Sequence, residues 1–255
     1  MAKAKLGGLA AARMVHRAEK KTERMRILLA GDATSGKTTS LRTLPSALKA
    51  IGVSTPKIVV IDLDQGADIF LDDPAFEVYR FGGVPGSEPQ VDEALDWWIK
   101  SELPKIEGVN VIITDSLSAL SMCALATVAA KNGRLGEVPQ LQDWNHEMHT
   151  TQKLCLDLQN VKVSHAVITI CHTAYEKDDL TGRAFNNLVL TGKLPKKLVR
   201  FFPEIYYADV TGFGDKAKFE WLVRPEQGTL ARSQIVAGPR IPQDFTPIMK
   251  ARFGS

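Results

Sequence analysis

"MRILLAGDATSGKTT", residues 25–39, passes from an apolar run through two glycines into a lysine and two threonines. The run 25–31 is short, apolar and closed by glycine, which is the mark of a buried strand. From Gly31 the chain reads Gly-Asp-Ala-Thr-Ser-Gly-Lys-Thr and satisfies G-x-x-x-x-G-K-[ST], with a strand before it and a helix after it. Gly31 and Gly36 let the backbone curl, so that the N–H groups of Asp32, Ala33, Thr34 and Ser35 turn inward toward phosphate oxygens. The helix opening at Lys37, Thr38 and Thr39 adds the partial positive charge of its N-terminus. Lys37 is expected to reach the β- and γ-phosphates of a nucleotide, and the Thr38 hydroxyl to ligate Mg2+.

A magnesium ion needs a second protein contact, and "VIITDS" (111–116) offers one in Asp115, after an apolar run at the carboxyl end of a strand. Hydrolysis also needs a group that orients the attacking water. The second strand, "KIVVIDLD", ends in two carboxylates, Asp62 and Asp64, which are expected to take separate tasks. Asp64, at the tip, is the candidate for the water. Asp62 is the candidate for the metal shell. No N/T-K-x-D base-recognition motif is present; the nearest approach, "EKDD" at 176–179, lacks its first residue. ATP is therefore favoured over GTP.

Outward from this stretch the chain is ordinary for a soluble globular protein, with 44% hydrophobic and 24% charged residues among 255. No apolar run approaches the roughly 20 residues that cross a bilayer. The start of the chain lacks the pattern of a signal peptide. Cys123, Cys155 and Cys171 are widely spaced among apolar neighbours and read as reduced core thiols, which points to a cytoplasmic protein. "HEMH" at 146–149 spaces its histidines one residue too closely for a metalloprotease helix. Charge is uneven: residues 1–26 carry eight basic and two acidic side chains, 27–190 are net acidic, and 191–255 are net basic again. A basic arm and tail around an acidic middle suit a polyanionic partner.

Buried strands are expected at 25–31, 57–64, 76–81, 109–116 and 165–173. Helices are expected from Lys37 to about Lys49, at 90–103, from Leu117, up to about Gln159 and around 193–201. Strands alternating with helices mean an α/β fold, a mostly parallel sheet flanked by helices. Late strands at "EIYYADVT", "KFEWLVRP" and "ARSQIV" have short links and should extend it antiparallel. Residues 1–25 are expected to be a basic helical arm and 26–255 one core. Trp97, Trp98 and Trp144 sit at apolar helical spacing and are expected to pack.

"IITDSLSAL" (112–120) resembles the second nucleotide motif of RecA-type ATPases. The closing "TGKLPKKL…FFPEIYYADV" is similar to short, phage-encoded RecA-core ATPases, which include single-strand annealing proteins. That resemblance implies a RecA-like P-loop core binding ATP and Mg2+, assembled as a homo-oligomer. It implies single-stranded DNA as the substrate, in recombination or annealing, with a single-strand-binding protein as a further partner. The loop around Arg134 falls where RecA has its first DNA-binding loop. Residues 173–191, with Tyr175, Lys177, Arg183 and Phe185, fall where it has the second. His172 takes the place of the side chain that senses the γ-phosphate. Arg224 and Arg232 stand where such assemblies supply a basic residue across a subunit interface. The family's catalytic carboxylate is usually Glu, so Asp64 departs from it by one methylene. A motor or loading ATPase acting on duplex DNA or protein, and a nucleotide-binding module that does not hydrolyse, are the competing readings.

Overall fold

A computed structural model describes residues 23–84, 88–177, 182, 184–226 and 228–254 of the chain. Residues 1–22 of the expected N-terminal arm and Arg183 lie outside the described residues. The strands are β1 (Met25–Gly31), β2 (Ile58–Asp62), β3 (Phe76–Arg80), β4 (Val111–Asp115), β5 (Ala166–Lys177), β6 (Ala184–Leu188), β7 (Glu204–Thr211), β8 (Lys218–Leu222) and β9 (Arg240–Pro242). The main sheet runs β3-β2-β4-β5-β1-β7-β8-β9, and β6 pairs with the outer half of β5. β3, β2, β4, β5, β1 and β7 are mutually parallel, while β8 and β9 are antiparallel. The expected architecture is present: a mostly parallel sheet with antiparallel strands at its late edge.

The apolar runs of the central strands are buried throughout because both faces of the sheet are covered. Alternation in β1 sends Leu28 and Ala30 to one side and Ile27 and Leu29 to the other. On the first side lie α3 (Val91–Ser101), α4 (Leu117–Lys131), α5 (Leu141–Gln159) and α6 (Leu194–Leu198), which contribute Leu95, Leu120, Leu154 and Leu198. On the second lie α2 (Leu44–Lys49) and α7 (Phe245–Phe253), which contribute Leu44, Leu48, Phe245 and Ile248.

Several local expectations are corrected. The helix after the glycine-rich loop is not continuous: a four-residue turn α1 (Lys37–Ser40) passes through a 3-10 turn before α2, which has Pro45 in its first turn. "ARSQIV" forms only an isolated bridge, Ile205 with Arg232, and the outermost strand is instead β9. Helix α7 is an addition to the expected elements, and its buried Phe245, Ile248 and Met249 share one face at helical spacing. Trp98 packs against Tyr79 and Phe81, but Trp97 is 60% exposed. Residues 173–177 and 184–188 are strand where a loop was expected: β5 continues outward past the sheet and pairs with β6. The three cysteines are buried, as core thiols are. No helix among the described residues is long and apolar enough to cross a membrane.

Candidate nucleotide site

The site is built where β1, β2 and β4 end and β5 leaves the main sheet. β5 lies between β1 and β4, so the tips of β1 and β4 stand two strand spacings apart, roughly 10 Å. In sheet order the groups are Asp64 beyond β2, Asp115 ending β4, His172 on β5, and the loop leaving Gly31 on β1. Gly31 and His172 are register partners. This order follows from the topology, and it places His172 between the loop and both carboxylates.

The loop 31–36 fits its glycines. Gly36 has φ +85°, and a Cβ there would meet Gln243 Oε1 at 2.6 Å and Phe219 Cδ1 at 2.9 Å. A Cβ on Gly31 would meet the Ala208 carbonyl oxygen at 2.7 Å. Thr34 has φ +65°, an uncommon state for a β-branched residue. The Asp32 carbonyl accepts from Ser35 Oγ at 2.8 Å and from Lys37 Nζ at 2.5 Å. Lys37 is 5% exposed, and burial lowers its pKa although Asp115 and Asp32 act in the opposite direction. A buried ammonium resting on one carbonyl and, at 3.5 Å, on the Ser35 hydroxyl still holds unused donor capacity, as a phosphate ligand requires.

Thr38 Oγ1 donates to Asp115 Oδ2 at 3.0 Å, which brings together the two residues expected to hold magnesium. Asp115 is 2% exposed, and burial, reinforced by Asp64, pushes its pKa up to about 6. A hydroxyl and a buried carboxylate are hard oxygen donors, and Asp115 makes no salt bridge among the described residues. The residues therefore fit a small divalent cation. The peptide bond between Asp115 and Ser116 is cis, and Ser116 caps α4 by accepting from Ala119 N at 3.2 Å.

Asp64 Oδ2 lies 2.8 Å from His172 Nε2. Burial alone would raise the Asp64 pKa. Hydrogen bonds from His172 and Ser116 outweigh it and hold the carboxyl below its ordinary value. Such a carboxylate stays charged and accepts hydrogen bonds, but it is a weak proton acceptor.

Asp62 is committed elsewhere. Its Oδ2 accepts from Arg80 Nε at 2.8 Å and its Oδ1 from Gly66 N at 3.2 Å. Neighbouring strands at the same register share a face, so Asp62 meets Arg80 rather than a metal. Arg224 and Arg232 are likewise not free to act across an interface. Arg224 donates to the carbonyls of Ser233, Val223 and Val236. Arg232 donates to those of Phe202 and Val199. Both fasten segments of their own chain. Arg134 is also consumed, because its guanidinium contacts both oxygens of the fully buried Asp143 at 2.6 Å.

On the β5–β6 hairpin, Thr173, Tyr175 and Lys177 share one face by alternation. Tyr175 is 69% exposed. Phe185 is opposite Glu176 and so belongs to the other face, where a Cβ added at Gly228 would meet its own Cβ at 3.2 Å. Phe185 and Tyr175 therefore cannot form one stacking surface. Thr173 Oγ1 donates to Asp32, so the first hairpin residue touches the glycine-rich loop directly. Thr173, Phe219 and Gln243 had no legible signal: each is brought to the site by a strand whose course the loop motif does not specify.

The family model of the AAA domain matches residues 23–234. The chain belongs to that family. It is a P-loop ATPase-type core, and the match spans β1 through β8. No functionally curated protein matches the chain. Among solved structures, it is similar to the flagellar accessory protein FlaH of Methanocaldococcus jannaschii at 10% identity and a TM-score of 0.43, with 87% of each chain covered. It is also similar to a KaiC-like protein of Pyrococcus horikoshii at 12% identity and a TM-score of 0.40, covering 88% of this chain and 85% of that one. Likeness at those values does not bear on activity.

Proposed function

We propose that this AAA-family protein binds ATP with Mg2+ on the loop 31–39, hydrolyses it slowly, and uses the bound state to set the β5–β6 hairpin for single-stranded DNA. The observation that carries the reading is the Asp64–His172 contact, which ties the water-orienting carboxylate to the strand that becomes the hairpin. Lys37 and the loop N–H groups bind and orient the triphosphate. Thr38 and Asp115 would hold the metal, which when bound supplies Lewis-acid charge neutralisation at the phosphates. Asp64 accepts a hydrogen bond from the attacking water and fixes its direction. Its lowered pKa makes it a positioner more than a base, which supports a slow reaction.

A γ-phosphate adds acceptor oxygens and charge beside His172, where its ring now meets Asp64. The backbone carbonyl of His172 accepts from Val189 N at 2.8 Å, and Thr173 contacts Asp32. Either contact can pass a change at the loop into both hairpin strands. Tyr175 and Lys177 then offer an aromatic face and a cation, the pair that single-stranded nucleic acid uses.

Phosphate release measured without DNA, with single-stranded DNA and with duplex DNA tests the reading, in wild type and Lys37→Ala. Stimulation by the single strand, lost in Lys37→Ala, is expected. Stimulation by duplex alone would replace the substrate with that of a motor ATPase, and ATP-independent single-strand affinity would remove the relay.

A further inference from the structure

We propose that Phe219 is the wall on which the base of the bound nucleotide stacks, so that the site reads a base by its face. The proposal rests on the phosphate-loop reading above and deepens it.

The cleft over the loop has a volume of about 630 Å³ and extends beyond the phosphate groups to Thr43, Phe219 and Gln243. Phe219 is 47% exposed at its mouth, although it lies on the same face of β8 as the fully buried Trp221. Trp221 packs between Tyr206 and Phe245, with ring centroids 5.5 and 4.7 Å away. The aromatic face of β8 thus continues out of the core and ends as an uncovered ring in the cleft. An exposed ring beside a phosphate cradle is suited to a flat, polarisable partner.

The wall is fixed in place. Gln243 Nε2 donates to the carbonyls of Ser35, in the loop, and Glu220, beside Phe219, at 2.8 and 3.2 Å. One amide therefore locks the loop to the strand bearing the ring. Gly36 is needed for the same reason, because any side chain there would strike Phe219 and Gln243. The hydroxyls of Ser40 and Thr43 are occupied by the chain itself. Ser40 Oγ donates to the Lys37 carbonyl, and Thr43 Oγ1 donates to the Ser40 carbonyl and accepts from Phe245 N. They have little capacity left to read a base edge, whereas the ring is free to meet a base face.

Calorimetric titration with Mg-ATP and with Mg-tripolyphosphate, which lacks a base, separates the two parts of the site. Phe219→Ala should weaken ATP about tenfold and leave tripolyphosphate unchanged, while Phe219→Trp should retain ATP affinity. Lys37→Ala should weaken both ligands. Equal loss of both ligands in Phe219→Ala, or loss of neither, overturns the stacking wall while leaving the phosphate loop standing. If wild type binds neither ligand, or Lys37→Ala weakens neither, the phosphate-loop reading fails and the wall fails with it.

Discussion

The carboxyl ends of β2, β4 and β5 and the late edge built from β7, β8 and β9 both concentrate polar side chains, but they use them oppositely. At the late edge the groups are consumed. Glu204, 2% exposed, accepts from Tyr206 Oη, Ser233 Oγ and Gln234 N at 2.8, 2.5 and 2.8 Å. Arg240 is shared among Asp209, Glu226 and Glu220. At the parallel tips capacity is left over: Asp115 has a hydroxyl for a partner but no fixed cation, and Lys37 rests on a carbonyl. Buried charge that is fully matched holds a fold together; buried charge that is under-matched is set for a ligand.

The largest expected break falls on the under-matched side. Lys37→Ala should cost at least about 100-fold in ATP affinity and hydrolysis, since it removes the side-chain cation of the cradle. The fold should survive, because Lys37 makes no salt bridge among the described residues. Calorimetry with ATP and a thermal melt check both halves; a collapsed melting temperature would move Lys37 to the structural group.

Asp115 sharpens the contrast through pH. Its pKa is raised to about 6 from an unfolded value near 3.8, so the folded protein binds the extra proton between those values. Stability without metal should therefore fall as pH rises from about 4 to about 6, and the penalty should persist at neutral pH. Asp115→Asn removes it and should stabilise the metal-free protein at pH 7 by up to about 3 kcal/mol, while abolishing metal-dependent hydrolysis. Denaturant melts at pH 4 and pH 7 test the sign: equal stability changes at both would mean that Asp115 is already compensated.

Asp64→Asn should lower the turnover rate about tenfold or more, with ATP affinity within a few-fold of wild type. The amide keeps an acceptor oxygen for water but loses the charge paired with His172. Single-turnover phosphate release separates the two quantities. A change confined to affinity would place Asp64 among the binding groups.

Legibility in the sequence follows the same division. The loop 31–39 and Asp115 are contiguous patterns whose chemistry is local, so they could be read without coordinates. The parallel direction of the strands followed from apolar runs alternating with helices, whereas their order across the sheet did not. Arg224, Arg232 and Arg134 were misread because their partners are distant in the chain: the carbonyls accepting from Arg232 lie about thirty residues away. A surface cation and a structural pin look alike in sequence. Asp62 was misread for a related reason, since Arg80 is brought opposite it only by strand register. The hairpin is a different failure. Once β5 is known to continue to Lys177, simple alternation places Tyr175 and Phe185 on opposite faces, but nothing in 173–191 announces that the strand keeps going.

The smallest expected effect lies at the matched edge, in Arg232→Ala. Its guanidinium joins the carbonyls of Val199 and Phe202 to the bridge at Ile205, so truncation leaves those acceptors under-paired. Hydrogen bonds to a charged group are worth about 1.5–3 kcal/mol when buried, and less at an exposed side chain such as this one. A loss of about 1 kcal/mol follows, read as a melting temperature lower by about 2–4 °C. Phosphate release per folded molecule should stay within about twofold of wild type, and mixing Arg232→Ala with Lys37→Ala subunits should restore nothing, because the arginine already serves its own chain. An unchanged melting temperature with lost turnover, rescued in such a mixture, would return Arg232 to the role of a residue supplied across an interface and dissolve the contrast between the two edges.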